Sequence, residues 1–406
     1  MLEHLPDFVP KRLAIKLKPA GEKAVKQKHP WVFNESIRKQ NVVGIAGDLA
    51  IIFDQRKNKF LAVGLWDPFS PIRVKILQFH QSAQINKDWF EEKIKEAYQK
   101  RHSLLETDTN SFRFIYGEND GLPGLIADVY ADVLVVKLYS FIWIPYLKII
   151  FPLLLKQSGC KTLVLRLSRK MQQEPSLLYD LSDGQIIEGS LASEEVHFRE
   201  HGLTFIANVI RGHKTGFFLD HRSNRKRIGE LAKGKKVLDI FAYAGGFSVH
   251  ALAGGAKKVI SLDISAQALE AAKKNVALNV ESAKHEIMKV DAFIGMEQLI
   301  AAGELFDLII VDPPSFAKKG AEIERALLNY SKLATLAIKL VKSGGVLLMA
   351  SCSSRVNKQT FFDTIEKAFS QSGRRFQLLE SNEHDIDHPV TFPQGAYLKS
   401  GYYLIS

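Results

Sequence analysis

Lys236-Val237-Leu238-Asp239-Ile240-Phe241-Ala242-Tyr243-Ala244-Gly245-Gly246-Phe247 is an apolar run that ends in an acid and opens into a glycine turn. A strand leading through glycines into a helix lets backbone amides come close to a ligand. The spacing is not Gly-x-Gly-x-x-Gly, and no phosphate-cradling lysine follows. A dinucleotide or a nucleoside triphosphate is therefore disfavoured.

Outward from this stretch, strands and helices alternate. Strands are predicted at 236–239, 258–263, 286–290, 308–311 and 345–350, with helices at 248–253, 266–279 and 326–341. Repeated β-α-β units specify a doubly wound, largely parallel α/β sheet. Two short strands, 196–200 and 203–209, precede it, and 376–380 with 397–405 add an antiparallel hairpin at the end. Ligands of such sheets bind past the carboxyl ends of the strands.

Acids mark those ends. Asp239, Asp263 and Asp291 close three successive strands. An acid after the second strand suits ribose hydroxyls, and Asp291 is placed for an adenine amino group. Three such acids without a pyrophosphate cradle point to an adenosine lacking phosphates, with S-adenosylmethionine (SAM) the obvious candidate. Each acid taken alone also fits a plain cap on the helix that follows.

Two further strand ends carry chemistry. Leu308-Ile309-Ile310-Val311 runs into Asp312-Pro313-Pro314, and Gly345-Val346-Leu347-Leu348-Met349-Ala350 runs into Ser351-Cys352-Ser353. A thiol and a carboxylate at one sheet edge suggest covalent catalysis, for which a lowered thiol pKa is expected. The other cysteine, Cys160, follows Ser158-Gly159 at a helix end with no acid or base motif nearby, so it is expected in the core. Two cysteines make no framework of bridges and no zinc spacing, so no metal is expected, and the compartment is a reducing one.

The N-terminal half reads differently. Residues 1–78 carry many lysines and short strand-like runs at 49–53, 60–65 and 72–77, which suggest a small β-barrel. Residues 79–190 read as an α+β module. It has a helix over 88–105, strands at 112–116, 125–129, 133–139 and 162–167, and a helix over 145–157. The net charge of +11 over 406 residues points to an anionic partner. The most hydrophobic stretch, 133–155, is interrupted by Lys137, Pro145, Lys148 and Pro152, so no membrane span is expected. The first residues lack the apolar core of a signal peptide.

Together these segments resemble a known family. Gly212-His213-Lys214-Thr215-Gly216-Phe217-Phe218-Leu219-Asp220-His221-Arg222, the glycine turn, Asp312-Pro313-Pro314-Ser315-Phe316 and Ser351-Cys352-Ser353 are similar to the bacterial 23S rRNA (cytosine-C5) methyltransferases of the class I, SAM-dependent type. The resemblance continues in Lys18-Pro19, His29-Pro30-Trp31-Val32-Phe33, Asp120-Gly121-Leu122-Pro123-Gly124, Asp387-His388-Pro389 and Gly395-Ala396-Tyr397-Leu398-Lys399, nearly the whole chain. It implies a PUA-like RNA-binding domain (1–78), a central α+β domain (79–190) and a Rossmann-like methyltransferase domain (191–406). It implies that Thr215, Phe217 and Asp220 hold the methionine part of SAM, with Arg222 on its carboxylate. It sets Tyr243, Ala244, Gly245 and Gly246 along the cofactor, Asp263 with Ile264 at the ribose, Asp291 with Ala292 near the adenine, and Asp312 beside them.

The implied chemistry is addition of the Cys352 thiolate to C6 of a cytosine, with Asp312 at N3 and the exocyclic amine. The base that removes the C5 proton is open between Asp312, His388 and a water. Another group of RNA cytosine-C5 methyltransferases carries a second cysteine where this chain has Ser315, so release here uses no thiol at that position. The implied partner is 23S rRNA or a large-subunit precursor in the cytoplasm, with a homodimer plausible. Lys318, Lys319 and Arg355 are candidates for phosphate contacts, and Trp31 and Phe33 for base stacking, Phe33 fitting barrel core better. The competing readings are methylation of another RNA atom (a guanine N7 or an exocyclic amine) and a non-catalytic, RNA-binding assembly factor.

Overall fold

The computed structural model describes residues 2–282 and 284–406. The chain forms two compact units. One comprises Met1–Glu200, Ala207–Leu219 and Ile386–Pro393. The other comprises His201–Ile206, Asp220–Asp385 and Gln394–Ser406.

The first unit holds two sheets. Six strands run in the order Trp31–Phe33, Ile72–Phe79, Phe60–Trp66, Leu49–Phe53, Arg12–Leu17, Ile37–Gln40. Its two outermost strands are joined by only Asn34–Ser36. A three-residue link reaches about 10 Å, so the two edges are drawn together and the sheet curls as a barrel does. Arg12–Leu17 alternates exposed and buried residues, and Leu13, Ile15 and Leu17 are fully buried. That alternation puts one face of the strand in the core.

The second sheet has five strands, ordered Gln185–Glu188, Thr162–Leu167, Val133–Leu138, Leu125–Tyr130, Ser111–Tyr116. The helices Lys87–Gln99 and Leu147–Ser158 pack together in the same core. The helix expected over 88–105 stops at Gln99 and restarts at His102. Arg101 breaks it. Its side chain is fully buried and bonds Asp120 with both guanidinium Nη atoms, at 2.9 and 2.5 Å. A buried ion pair with several hydrogen bonds outweighs one turn of helix propensity.

The second unit is built on a seven-stranded sheet. Its order is His285–Lys289, Lys258–Asp263, Lys236–Ile240, Phe306–Val311, Val341–Ser351, Lys399–Ile405, Phe376–Asn382. The first five strands are parallel and the last two antiparallel. The doubly wound sheet and its C-terminal hairpin are therefore as expected. Sequence reading did not anticipate the helices Ala292–Ala301 and Lys358–Gln371.

From Lys236–Ile240 the chain winds outward through two strands. It then crosses back to lay Phe306–Val311 on the other side. The reversal opens a crevice at the carboxyl ends of these two central strands, where open α/β sheets bind ligands. Among the described residues, no helix is long and apolar enough to cross a membrane.

Candidate functional site

The turn after Lys236–Ile240 is unusual in its backbone. Phe241, Tyr243 and Gly245 all have positive φ, at 65°, 47° and 75°. Left-handed conformations cost energy for residues other than glycine. Here the neighbouring strand holds them: Phe241 and Ala242 donate N–H to the Leu262 carbonyl, and Tyr243 donates to Asp263 Oδ2 at 2.9 Å. Gly245 is required for packing as well, because a Cβ there would lie 2.8 Å from Ala272 Cβ. The Ala244 carbonyl accepts from Asn275 Nδ2 at 2.8 Å. This turn leads into the helix Gly246–Ala253.

The three strand-end acids divide. Asp239 is buried, and its Oδ2 accepts from the Ser248 amide (3.1 Å) and hydroxyl (2.6 Å). Burial pushes its carboxyl up to about 7, against the Ser248 bonds. Asp239 is therefore engaged within the fold, bonded to the start of the helix Gly246–Ala253. Asp291 caps the helix Ala292–Ala301 through Oδ1, which accepts from Phe293 and Ile294. Ala292 itself is buried.

Asp263 is half-buried and accepts one backbone N–H on each oxygen, from Ser265 and Tyr243. An ionised carboxylate has about four lone-pair directions, so two remain for a pair of hydroxyls. Ile264 beside it is 69% exposed, an apolar surface at the crevice edge. These acceptor positions fit the paired hydroxyls of a ribose, which would donate to them.

The segment ahead of the sheet is spread over both units. Thr215 and Phe217 belong to the first unit and are buried there. The Thr215 hydroxyl donates to Asp128 Oδ2 at 2.5 Å and meets the Tyr130 hydroxyl at 2.9 Å. Asp128 also takes a two-bond fork from Arg113. Phe217 packs edge-on against Phe198 and donates its N–H to Tyr130. Asp220 and Arg222 belong to the second unit. Asp220 accepts from the Tyr397 hydroxyl at 2.7 Å, and the fully buried Arg222 lies 3.4 Å from Asp385 Oδ2.

The chemical centre is a triangle. Cys352 Sγ lies 3.7 Å from His221 Nε2 and 3.8 Å from Asp312 Oδ1, and the last two are 3.3 Å apart. Val311 pairs with Met349, which brings the two strand ends side by side. Ser351 and Ser353 are fully buried. The hydroxyl of Ser351 meets Tyr330 at 2.8 Å, and that of Ser353 donates to the Ala317 carbonyl. Cys352, between them, turns the other way, as alternation along an extended chain requires. Ser315, at the place of the second thiol in the other group, bonds the Ala317 carbonyl.

His221 completes the triangle, and sequence reading did not single it out. It stands at the start of the helix Arg222–Leu231, 131 residues from Cys352 along the chain. Only its place next to Asp220, just after the Thr-Gly-Phe-Phe-Leu-Asp segment, hinted at it. Its ring packs edge-on against Phe247, and Asn224 Nδ2 lies 3.0 Å from Nδ1. Asn224 Oδ1 is held by Asn382, Ser400 and Tyr402. This sets the amide's NH₂ towards the ring, so the neutral imidazole carries its proton on Nε2 and aims it at Asp312 and Cys352. The three groups lie within 4.8 Å of one another, the reach of one soft cation. With the ring proton on Nε2, hydrogen bonding satisfies them instead.

The electrostatics correct one expectation. The Cys352 thiol is not pulled down: burial, then Asp312 and Asp220, push it well above the ordinary range, while Lys399 acts against them. A nearby carboxylate disfavours a thiolate. The thiol is therefore protonated at rest and has an acceptor, Asp312, within reach. Burial pulls His221 down, but Asp312 and Asp220 outweigh it and the net direction is up.

His388 is a buried member of the first unit, with Nδ1 2.9 Å from Asp387 Oδ1 and its ring against Tyr116. Trp31 donates its indole N–H to Glu118 at 2.8 Å and packs edge-on with Phe392, so its ring is largely engaged. Lys318, Lys319 and Arg355 are exposed. Cys160 is buried in the core as expected, and burial pushes its thiol up to about 11.

Comparison with known proteins agrees with this architecture. Residues 182–391 match the model of the S-adenosylmethionine-dependent methyltransferases, and residues 15–79 match a PUA-like domain. The chain belongs to the S-adenosylmethionine-dependent methyltransferase family. It is 42% identical over 395 residues to a ribosomal RNA large subunit methyltransferase of Deinococcus radiodurans, covering 96% of each chain. It is 34% identical to ribosomal RNA large subunit methyltransferase I of Escherichia coli, covering 93% of this chain and 96% of the relative. A Streptococcus mutans protein assigned as a SAM-dependent methyltransferase shares the fold at a TM-score of 0.80 and 20% identity, covering 96% of this chain and 99% of that one. A second solved structure, of a protein assigned as a methyltransferase and complexed with SAH, shares it at 0.81 and 20% identity, with 97% and 99% covered.

Proposed function

We propose that this SAM-dependent methyltransferase modifies C5 of a cytosine in large-subunit (23S) rRNA, free or in a precursor particle in the cytoplasm, through a covalent bond from Cys352. The observation that carries the reading is the triangle: one thiol, with a carboxylate and an imidazole N–H both within hydrogen-bond reach of its sulfur. The names of the relatives support the substrate class.

SAM supplies an electrophilic methyl on a sulfonium. Everything else falls to the chain. Cytosine C5 is a poor nucleophile until a thiolate adds to C6. Asp312 takes the Cys352 proton as sulfur bonds C6, and passes it to N3, so the ring gains a proton as it gains the sulfur. The electron pair of the C5–C6 double bond becomes available at C5, which takes the methyl. Loss of the C5 proton to a base then expels the sulfur as a thiolate, and the N3 proton returns through Asp312 to that sulfur, restoring both the neutral ring and the thiol. His221 donates from Nε2 to Asp312 and to the sulfur, holding both in place. The target base has to leave its stack to reach this crevice.

For the cofactor we assign Asp220, residues 243–246, Asp263, Ile264, Asp291, Ala292 and Asp312 to the contact set. Thr215, Phe217 and Arg222 shape their segment through buried bonds to Asp128, Tyr130 and Asp385. Residues 1–78, 79–190 and 191–406 are taken as three modules, the first two carrying RNA affinity. Lys318, Lys319 and Arg355 are taken as phosphate contacts.

The test uses rRNA and large subunits from a strain lacking the protein, incubated with protein and methyl-labelled SAM, followed by mapping of the labelled nucleotide. Label at cytosine C5 that vanishes in Cys352→Ala is the expected result. Label on another atom, retained in that variant, overturns the thiol mechanism. Absence of label with SAM binding intact overturns the enzymatic reading in favour of an assembly factor.

A further inference from the structure

Residues 1–78 hold 14 lysines and arginines against 7 acids, so more than half of the chain's net charge of +11 falls in about a fifth of its length. In the six-stranded sheet, Lys16 and Lys39 stand directly opposite each other across an antiparallel pair, and Phe53 is the partner of Lys16 on its other side. Leu13, Ile15 and Leu17 point into the core, so Lys16 and its row lie on the outer face. Neighbouring strands are about 4.8 Å apart, so the row from Lys39 to Phe53 spans about 10 Å. These three residues line one cavity of about 330 Å³ together with Ala14, Asn41 and Asn58.

Like charges directly opposite each other destabilise a sheet. An edge strand such as Ile37–Gln40 uses a lysine to block stray pairing, but a second lysine facing it only adds repulsion. Among the described residues neither ammonium has an ion pair. The acids at the two ends of Leu49–Phe53 are turned to the backbone: Asp48 accepts from Lys11 and Ile45, and Asp54 from Lys57 and Lys59. An anion from outside is left as the group that offsets the repulsion. The rest of the wall suits a base. Phe53 is half-buried and, among the described residues, has no ring partner, unlike Trp31. Asn41 Oδ1 accepts from the Ala14 N–H at 2.8 Å, which leaves its NH₂ as a donor. Asn58, at φ 55°, lies in the turn that Asp54 pins, so this wall is built before any ligand arrives.

We propose that this cavity docks one nucleotide of single-stranded RNA, with its phosphate between the Lys16 and Lys39 ammoniums and its base on the Phe53 ring. Two cations position a phosphate without reading sequence, and stacking on an aromatic ring is likewise tolerant of sequence. The site therefore anchors the strand and does not select the nucleotide that is methylated. It rests on the rRNA reading above and gives the RNA affinity of the first module a place.

The experiment measures binding and photo-crosslinking of a single-stranded RNA of mixed sequence, carrying 5-iodouridine, to the full chain. Irradiation is expected to attach RNA to the peptide that holds Phe53. Phe53→Leu should abolish that adduct and weaken binding about fivefold or more, the range of one stacked base. Lys16→Gln with Lys39→Gln should lower the slope of log affinity against log salt by about 0.7 to 1.4, the share of one or two phosphates on a single strand. The same change at exposed Lys339 and Lys367, on the helices Ile323–Leu340 and Lys358–Gln371, should leave the slope where it was. The lysine variant should melt no lower than the parent, because it removes a repulsion, so its weaker binding is not a loss of fold. If Phe53→Leu does not fold, the adduct on the parent chain and the slope of the lysine variant decide. Inorganic phosphate that displaces the RNA better than chloride of equal ionic strength, with binding indifferent to Phe53→Leu, would show a plain anion site and overturn the proposal. A parent chain that binds RNA with its slope unmoved by the lysine changes and its adducts confined to other peptides overturns this site alone. A parent chain that binds no RNA sinks the substrate reading and the site with it.

Discussion

The two cysteines of the chain differ in exposure, Cys160 being buried and Cys352 partly exposed, and in everything around them. Burial raises both thiols, Cys160 to about 11 and Cys352 well above its ordinary range. Cys160 follows a glycine at the end of the helix Leu147–Ser158 and joins a core of aliphatic and aromatic side chains. Cys352 follows a strand and meets His221 and Asp312, and its neighbouring turn is held by Lys399. Reactivity therefore cannot be read from burial or from the resting thiol alone. What separates the two is a proton acceptor and a hydrogen-bond donor converging on one sulfur.

The sharpest way to break this comparison is removal of each sulfur. Cys352→Ala should lower methyl transfer by more than ~1,000-fold, the order seen when a covalent nucleophile is lost, whereas Cys160→Ala should leave it within about twofold. Equal losses would show that the cluster at Cys352 is packing and not chemistry. Next in size is Asp312→Asn, which keeps the shape but cannot take the thiol proton. Single-turnover rates should fall by ~100-fold or more, within the range of general acid–base catalysis, with SAM affinity changed far less. His221→Ala removes a donor and leaves the acceptor, so its cost should be smaller, on the order of 10-fold. A larger loss than for Asp312→Asn would transfer the proton-accepting role to the imidazole.

The same comparison explains what the sequence made legible. The strand ends at Val311 and Ser351 were readable because long apolar runs stop at a proline pair and at polar residues, and the winding rules then place both ends at one crevice. Asp263 was readable for the same reason. His221 was not, because it starts a helix in a segment outside the β-α repeats and reaches Asp312 only through the folded chain. Asp239 was less legible, because a strand-end acid looks the same whether it meets a ligand or caps the next helix, and here it takes the Ser248 amide and hydroxyl. Thr215 was legible as a donor, but the buried Asp128 that claims its hydroxyl is 87 residues away. The raised Cys352 thiol was opposite to expectation because both carboxylates near it are contributed by segments distant in sequence.

The smallest effect tests the quiet member of the pair. At neutral pH Cys160→Ala should cost about 1 kcal/mol, the loss of one small buried group from a core that relaxes only partly. The variant should also change how stability depends on pH. In the unfolded chain a cysteine ionises near 9, whereas folded Cys160 holds its proton to about 11. Between those values the folded state binds more protons than the unfolded one, so the stability contributed by Cys160 is complete below pH 9 and is lost as pH rises towards 11. Two units of such a shift amount to on the order of 2–3 kcal/mol as an upper limit, reduced by the remaining solvent access. Urea unfolding at pH 8 and pH 10.5 should therefore show the gap between the parent and Cys160→Ala narrowing at the higher pH. A gap that stays constant would mean that Cys160 ionises as an ordinary thiol, and that the contrast with Cys352 lies in exposure and not in chemistry.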